Sequence, residues 1–252
     1  FFIKRLQSPA RRGIFFAVTN ILAIDTSTQA CSVALFYCGE RISRYQLASR
    51  EHTRLILPMV DEILSEAGIA LSQLDALAFT AGPGSFTGIR IGFGVIQGLA
   101  FGAGIPVLPV STLEALAQTS IRKLGIQSDS YVLPILDARM EEVYWALFKY
   151  QGSVLTRVSQ DSLTSPEDVA SSFSGSPLAV VGDGWHYLDE IDVDMIPIRP
   201  TTVDLTLLPE AEDILDLALP RVMAGQACSV DSVSPVYLRD KITWKKRVRL
   251  RQ

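Results

Sequence analysis

Short apolar runs separated by turn residues dominate the chain after residue 20. Residues 21–27, 31–38 and 41–47 predict three antiparallel strands, with a hairpin turn at Gly39-Glu40 between the second and the third. A helical period follows over residues 52–67, where apolar positions cover an arc of about 200° before Gly68 ends the helix. That arc is wider than a helix needs to cover one side of a core.

The next stretch is the most unusual pattern in the chain. Residues 76–80 predict a buried strand that ends in a Gly-Pro-Gly turn, and either Ser85 or Thr87 could cap a helix over residues 88–104. Five interior glycines share an arc of about 160° on that helix, at a cost of about 1 kcal/mol each relative to alanine. They are Gly88, Gly92, Gly94, Gly98 and Gly102. Two interpretations carry equal weight: a buried core helix, or a helix that lets a partner's helix approach closely.

The remainder predicts a second, smaller α/β unit. Residues 107–110 form a strand, Ser111 or Thr112 caps a helix to about residue 123, and strands follow at 131–137, 142–150 and 178–182. Helices are expected at 166–173 and 209–224, the second disturbed by Pro220. We therefore divide the chain into an extension (1–17), a βββαβα lobe (18–124), a reduced lobe (125–226) that includes a helix able to return to the first, and an irregular basic tail (227–252).

Composition narrows the class of protein. The 252 residues are 48% hydrophobic and 20% charged, with a net charge of −4, which indicates a globular protein without a strong field for nucleic acid. Three cysteines without metal spacing favour a reducing compartment, and we expect a cytoplasmic protein. No run reaches the length of a membrane span, and the helix at 88–104 comes nearest.

Candidate chemistry is sparse. The chain has two histidines, His52 and His186, with no second histidine four residues from either, so we expect no metal site and give each a solvated or capping role. Asp25, Thr26 and Ser27 form the best polar cluster, and Asp137 at another strand end could face it across a cleft, as paired acids do in phosphotransferases. The glycine loop lacks the lysine of a Walker motif.

Three segments then resemble one family. Residues 21–35, the stretch Gly82-Pro-Gly-Ser-Phe-Thr-Gly-Ile-Arg-Ile-Gly92 and Pro235-Val-Tyr-Leu-Arg239 resemble the bacterial tRNA threonylcarbamoyladenosine biosynthesis family TsaB, also called YeaZ. The resemblance runs from about residue 20 to 243. It implies an actin/Hsp70/sugar-kinase-like, ribonuclease H-like fold of two related lobes, the second reduced. It also implies a role in N6-threonylcarbamoylation of adenosine 37 in tRNAs that read ANN codons.

The resemblance implies a non-catalytic subunit, because the H-x-x-x-H metal motif of the catalytic paralogue TsaD is missing. The implied partners are TsaD, the small ATPase TsaE and tRNA through the complex, with a homodimer through the same helices also open. We expect no cofactor beyond weak ATP or ADP binding at the degenerate phosphate hairpin of Asp25, Thr26 and Ser27. The expected partner interface comprises Leu55, Met59, Glu62, Ile91, Gly94, Val95, Gly98, Leu99 and Gly102.

Two other functions stay open on the residues. One is an ATP-dependent phosphotransferase that uses Asp25 and Asp137, which tight binding of Mg-ATP would favour. The other is a glycoprotease-like peptidase, which chelator-sensitive cleavage of casein would favour.

Overall fold

The computed structural model describes residues 19–48, 50–171, 178–184 and 201–239. The extension at 1–17, the turn with His186 and the basic residues after 240 lie outside the described residues.

The first lobe is built on a five-stranded sheet with the strand order β3-β2-β1-β4-β5. The strands are β1 (Ile21–Asp25), β2 (Ala30–Tyr37), β3 (Glu40–Leu47), β4 (Ala76–Gly82) and β5 (Val107–Ser111). The first three are antiparallel, and β4 and β5 run parallel to β1. Every residue of β1 and β4 is buried, because helices cover both faces of the sheet.

Four helices sandwich this sheet. On one face lie α1 (His52–Ala67) and α2 (Phe86–Ala103), and on the other lie α3 (Thr112–Leu124) and α5 (Ala211–Met223). Ser85 caps α2, since its side chain accepts a hydrogen bond from the amide of Gly88, and Ser111 caps α3 in the same way. The sequence left two candidate caps for each helix, Ser85 or Thr87 for α2 and Ser111 or Thr112 for α3. In both helices the cap is the serine that immediately precedes the first turn.

The second lobe is a mixed sheet with one short helix, α4 (Pro166–Ser171). Its order is β10-β7-β6-β11-β12, with β8 paired to both β6 and β9. The strands are β6 (Ser130–Arg139), β7 (Glu142–Trp145), β8 (Phe148–Gln151), β9 (Val154–Arg157), β10 (Ser162–Thr164), β11 (Leu178–Val181) and β12 (Thr202–Asp204).

The single strand predicted at 142–150 is wrong. The chain leaves the ladder at Ala146 and Leu147, so that Trp145 pairs with Ile135 while Phe148 pairs with Val132. Ala146 and Leu147 are apolar like the strand residues on either side of them, so the hydrophobic pattern continues from β7 into β8 without a break. The sequence alone therefore predicts one strand where the structure has two. The strands β9, β10 and β12 were not predicted, because three or four residues are too short to establish a period of two.

Helix α3 joins the two lobes. Leu113, Leu116 and Ala117 on α3 share one buried cluster with Val132 and Leu136 of β6. The chain after α5 then returns along the first lobe, where Cys228 pairs with Val107 and the amide of Val236 donates to the carbonyl oxygen of Ala81 at 2.8 Å. Three antiparallel strands followed by a helix and two parallel strands confirm the predicted ribonuclease H-like fold class.

In the part of the chain that the structure describes, one helix, α2, has the length and composition of a membrane span. The prediction that no segment reaches that length is therefore wrong for this helix. One side of α2 is nevertheless packed inside the protein, since Gly88, Ile89, Gly92, Ile96 and Ala100 are buried.

Candidate functional site

A cleft of about 670 Å³ separates the lobes. Residues that follow β1 and β4 line one side, including Ser27 and Gly84. The other side is lined by Asp137 and Arg139 of the β6–β7 turn, a name used here for residues 137–142, which include the ends of both strands. Clefts outside the carboxyl ends of parallel strands are the usual ligand sites of α/β folds. This is the position at which the sequence analysis expected a degenerate phosphate hairpin.

The Asp25 carboxylate is completely buried beneath that hairpin. Its Oδ1 accepts hydrogen bonds from the Ser27 hydroxyl at 2.6 Å, the Ser27 amide at 3.1 Å and the Thr80 hydroxyl at 2.5 Å. Its Oδ2 has no hydrogen-bond partner in the described part of the chain. Burial raises the pKa of Asp25, and the bonds from Ser27 and Thr80 oppose that rise only in part.

Asp25 and Asp137 do not form the acid pair of a phosphotransferase. Asp137 lines the cleft, whereas Asp25 lies below it and is not part of the lining. The carboxylate of Asp137 is also engaged, since its Oδ1 accepts from the amide of Arg139 at 2.7 Å and its Oδ2 forms an ion pair with the guanidinium of Arg139 at 2.9 Å. The predicted juxtaposition of these two acids is therefore wrong.

The start of α2 packs directly on the hairpin. The Thr26 hydroxyl donates to the carbonyl oxygen of Gly88 at 2.8 Å, and the amide of Ser85 donates to the carbonyl oxygen of Ser27 at 2.7 Å. A Cβ at Gly88 would lie 2.0 Å from the Thr26 carbonyl oxygen, and one at Gly92 would lie 2.4 Å from its hydroxyl. These two glycines thus allow α2 to touch β1, and the hydroxyls that would meet a phosphate are used inside the protein.

His52 is buried and its Nε2 lies 3.1 Å from the carbonyl oxygen of Ala30. The solvated role expected for it is therefore wrong, and this ring ties the start of α1 to β2. Among the described residues, no group of three or more His, Cys, Asp or Glu side chains is placed to hold a metal ion.

The other three glycines of α2 face outward. Gly94, Gly98 and Gly102 are exposed, and a Cβ at any of them would meet no atom of the described part of the chain within 4 Å. The arc of five glycines therefore divides into an inner pair, Gly88 and Gly92, and an outer row of three. We call this row, together with the predicted interface residues Leu55, Glu62, Ile91, Val95 and Leu99 on α1 and α2, the glycine face.

The predicted interface residues around this row differ in exposure. Leu55, Ile91, Val95 and Leu99 are half-buried, and each packs partly on the core of the first lobe. Met59 is 7% exposed and belongs to that core, so its side chain offers little surface to a partner.

Helices α1 and α2 also carry exposed charged and large apolar side chains. Glu62 is exposed and forms an ion pair with Arg44 at 3.5 Å. Two large apolar side chains absent from the prediction are also exposed, namely Leu57 at 51% and Phe101 at 61%.

Four further residues at the site are not among the predicted site residues. Tyr237 and Arg239 line the cleft, while Thr80 and Arg90 form hydrogen bonds with Asp25 and Tyr237. Tyr237 packs on Phe86 with 5.3 Å between the ring centroids and an angle of 45° between the ring planes, and its hydroxyl accepts a hydrogen bond from Nε of Arg90 at 3.0 Å. The segment Pro235-Val-Tyr-Leu-Arg239 was noticed as a motif, but no local pattern shows that it meets a helix 147 positions earlier.

Comparisons with known proteins agree with this geometry. The family model described as "TsaD: tRNA N6-adenosine threonylcarbamoyltransferase" matches residues 44–190. The tRNA threonylcarbamoyladenosine biosynthesis protein TsaB of Haemophilus influenzae is 39% identical in an alignment of 240 residues that covers 90% of this chain and 96% of that one. TsaB of Escherichia coli is 42% identical in an alignment of 232 residues that covers 90% of this chain and 97% of that one.

A solved structure extends the likeness to three dimensions. The crystal structure of YeaZ from Pseudomonas aeruginosa is 43% identical and superimposes with a TM-score of 0.80, covering 87% of this chain and all of that one. Sequence identity at this level over nearly the full length of each relative establishes membership. The chain belongs to the TsaB (YeaZ) family of tRNA threonylcarbamoyladenosine biosynthesis proteins.

Proposed function

We propose that this chain is a non-catalytic subunit of the cytoplasmic complex that adds the threonylcarbamoyl group to N6 of adenosine 37 in ANN-decoding tRNAs. In this role the glycine face pairs with the matching helices of the catalytic paralogue TsaD. The small ATPase TsaE joins the same complex, and tRNA is reached through the complex rather than by this chain alone.

The observation that carries the proposal is the row of Gly94, Gly98 and Gly102 with open space beyond each Cα. Three interior glycines whose Cβ positions meet no atom of the described residues within 4 Å lower helix stability by about 1 kcal/mol each, with no packing contact to offset that cost. A second helix laid along the row would come within backbone distance, and the half-buried Ile91, Val95 and Leu99 would complete its burial. The same face could instead join two copies of this chain.

The non-catalytic role rests on the residues at the cleft. The chain lacks the H-x-x-x-H motif that the resemblance assigns to the catalytic paralogue. The hydroxyls of Thr26 and Ser27 are bound to Gly88 and Asp25, so they are not free to hold a phosphate. Both features support a scaffold that has kept the fold of a nucleotide-binding protein while using its phosphate hairpin as core.

The test is reconstitution. The chain and the catalytic paralogue from the same cell are purified separately, mixed and passed over a sizing column, and threonylcarbamoylation of tRNA is measured with and without this chain. We expect a stable complex, activity that requires both proteins and no product from this chain alone. Product formed by this chain alone, or chelator-sensitive cleavage of casein, would contradict the proposal.

A membrane control belongs with this test, because α2 has the composition of a span. The isolated chain is mixed with phosphatidylcholine vesicles and centrifuged through a density gradient. We expect it to stay at the bottom, since the inner side of α2 is packed on the sheet. Flotation with the vesicles, together with failure to bind the paralogue, would assign the exposed side of α2 to lipid instead.

A further inference from the structure

The segment that follows Cys228 crosses from one lobe to the other. Up to Tyr237 it is attached to the first lobe, through the pairing of Cys228 with Val107 and the hydrogen bond from Val236 to Ala81. Its approach is close: a Cβ at Gly82 would lie 2.5 Å from the carbonyl oxygen of Val236. Gly82 also has a φ of +118°, a conformation that side chains oppose.

Tyr237 then fixes the segment to the start of α2. Its ring stacks on Phe86, and the guanidinium of Arg90 lies 3.8 Å from the centroid of the Phe86 ring and 5.6 Å from that of Tyr237. With the hydrogen bond from Arg90 to the Tyr237 hydroxyl, these three side chains form one stack at the mouth of the cleft.

Two residues further on, Arg239 reaches the second lobe. Its Nη2 donates to the carbonyl oxygens of Ala138 at 3.2 Å and Arg139 at 3.1 Å, and it forms an ion pair with Glu142 at 2.5 Å. The Arg239 side chain is 19% exposed, so these contacts are partly shielded from water. The other terminal nitrogen, Nη1, donates to the sulfur of Met140 at 3.2 Å, so the guanidinium contacts the turn through two nitrogens, which a single lysine ammonium does less well.

The turn that Arg239 holds is itself unusual. Arg139, Met140 and Glu141 have φ values of +65°, +61° and +63°, a left-handed run that carries a free-energy cost in side-chain-bearing residues. A backbone conformation of this kind persists only where surrounding contacts hold it in place. The hydrogen bonds from Arg239 to the carbonyl oxygens of Ala138 and Arg139 are such contacts. The strained turn and the segment therefore depend on each other.

We propose that residues 235–239 form an interlobe clasp, in which Tyr237 anchors the segment to α2 and Arg239 holds the β6–β7 turn across the mouth of the cleft. Elsewhere the lobes are joined by the shared core of α3 and β6 and by the hydrogen bond from the Ser111 hydroxyl to Oδ2 of Asp161 at 2.7 Å. The clasp adds an attachment at the mouth, so that the cleft keeps a single width. Loss of the clasp lets the mouth open while each lobe stays folded.

The test measures the width of the mouth directly. Thr53, exposed in the first lobe, and Glu167, exposed in the second, are replaced by cysteine and carry nitroxide labels, with Cys38→Ser and Cys228→Ser removing the accessible thiols. Electron-electron resonance distances are compared between this background and the same background with Arg239→Ala. We expect one narrow distance in the parent and a broader, longer distribution in the variant.

Hydrogen exchange supplies the second readout. Amides 138–142 should exchange roughly ten- to a hundredfold faster in Arg239→Ala, because a charge-assisted network is lost. Arg239→Lys should fall between the two. Lys149→Ala is the matched control: it removes an ion pair with Asp129 in the same lobe, at 2.6 Å, and should change neither the distances nor exchange at 138–142.

The two readouts separate a clasp from a local contact. Faster exchange at 138–142 with an unchanged label distance would overturn the proposal, because Arg239 would then stabilise only the turn. Unchanged exchange would overturn it as well. Neither result bears on whether the glycine face binds a partner, so the clasp and the proposed function fail independently.

Discussion

The hydroxyl of Thr26 donates a hydrogen bond to the carbonyl oxygen of Gly88, 62 positions further along the chain. This bond joins the end of β1 to the first turn of α2 and leaves no room for a side chain between them. It gives the phosphate hairpin of the fold a structural use. It also separates the glycines of α2 into an inner pair that packs on Thr26 and an outer row that faces away from the sheet.

The inner glycines should be essential for stability. Gly92→Ala places a Cβ 2.4 Å from the Thr26 hydroxyl, and overpacking of this kind costs about 1–3 kcal/mol. We expect the melting temperature of the isolated chain to fall by roughly 2–12 °C. Gly94→Ala is the control on the same helix, since its Cβ meets open space, and it should stabilise the chain by up to about 1 kcal/mol. Equal melting temperatures for the two variants would contradict this division.

The outer row should matter for binding instead. Gly98→Leu adds a bulky side chain where no described atom lies within 4 Å of the Cβ position, and leucine is the better helix former, so the isolated chain should melt no lower than the parent. At the proposed interface the same side chain would separate the helices and weaken the complex with the catalytic paralogue by about ten- to a hundredfold. Titration calorimetry measures the affinity, with Gln151→Leu on the second lobe as a surface control. Unchanged affinity would move the interface elsewhere.

Asp25 should give stability an unusual dependence on pH. Burial raises its folded-state pKa above the ordinary value of 3.8, so between these two values the folded protein holds a proton that the unfolded chain has released. The contribution of Asp25 to stability is therefore greatest at low pH and declines as pH rises through the folded-state pKa.

Asp25→Asn keeps an acceptor for Ser27 and Thr80 but cannot titrate. Melting both proteins from about pH 4 to about pH 8 should show the parent losing stability relative to the variant as pH rises. A constant difference across this range would mean that Asp25 has the same pKa in both states.

Nucleotide should bind weakly or not at all to the isolated chain. The hydroxyls of Thr26 and Ser27 are satisfied within the protein, and the amide of Ser85 is bonded to the carbonyl oxygen of Ser27. A hydroxyl or amide that already has a hydrogen-bond partner inside the protein gains little free energy by exchanging that partner for a phosphate oxygen. Calorimetry with Mg-ATP and with ADP measures this directly, and a submicromolar dissociation constant for either would refute the prediction.

The sequence by itself determined the elements of the first lobe and the family. Periods of two and of 3.6 residues are local properties, so the strands around Ile24 and Phe79, the helix at α1 and the end of α2 at Gly104 could be read directly. The glycine content of α2 was also enough to show that some backbone approaches it closely.

Only the tertiary structure decided which backbone that is. A helical period gives the angle of each residue about the axis but not the direction in which the sheet lies, so Gly92 and Gly94 could not be told apart until β1 was placed against one side. The same limit hid the stack of Tyr237 on Phe86 and the bonds of Arg239 to the β6–β7 turn. Such contacts join residues about a hundred or more positions apart, and they follow from how the lobes and the returning chain pack, which no local pattern encodes.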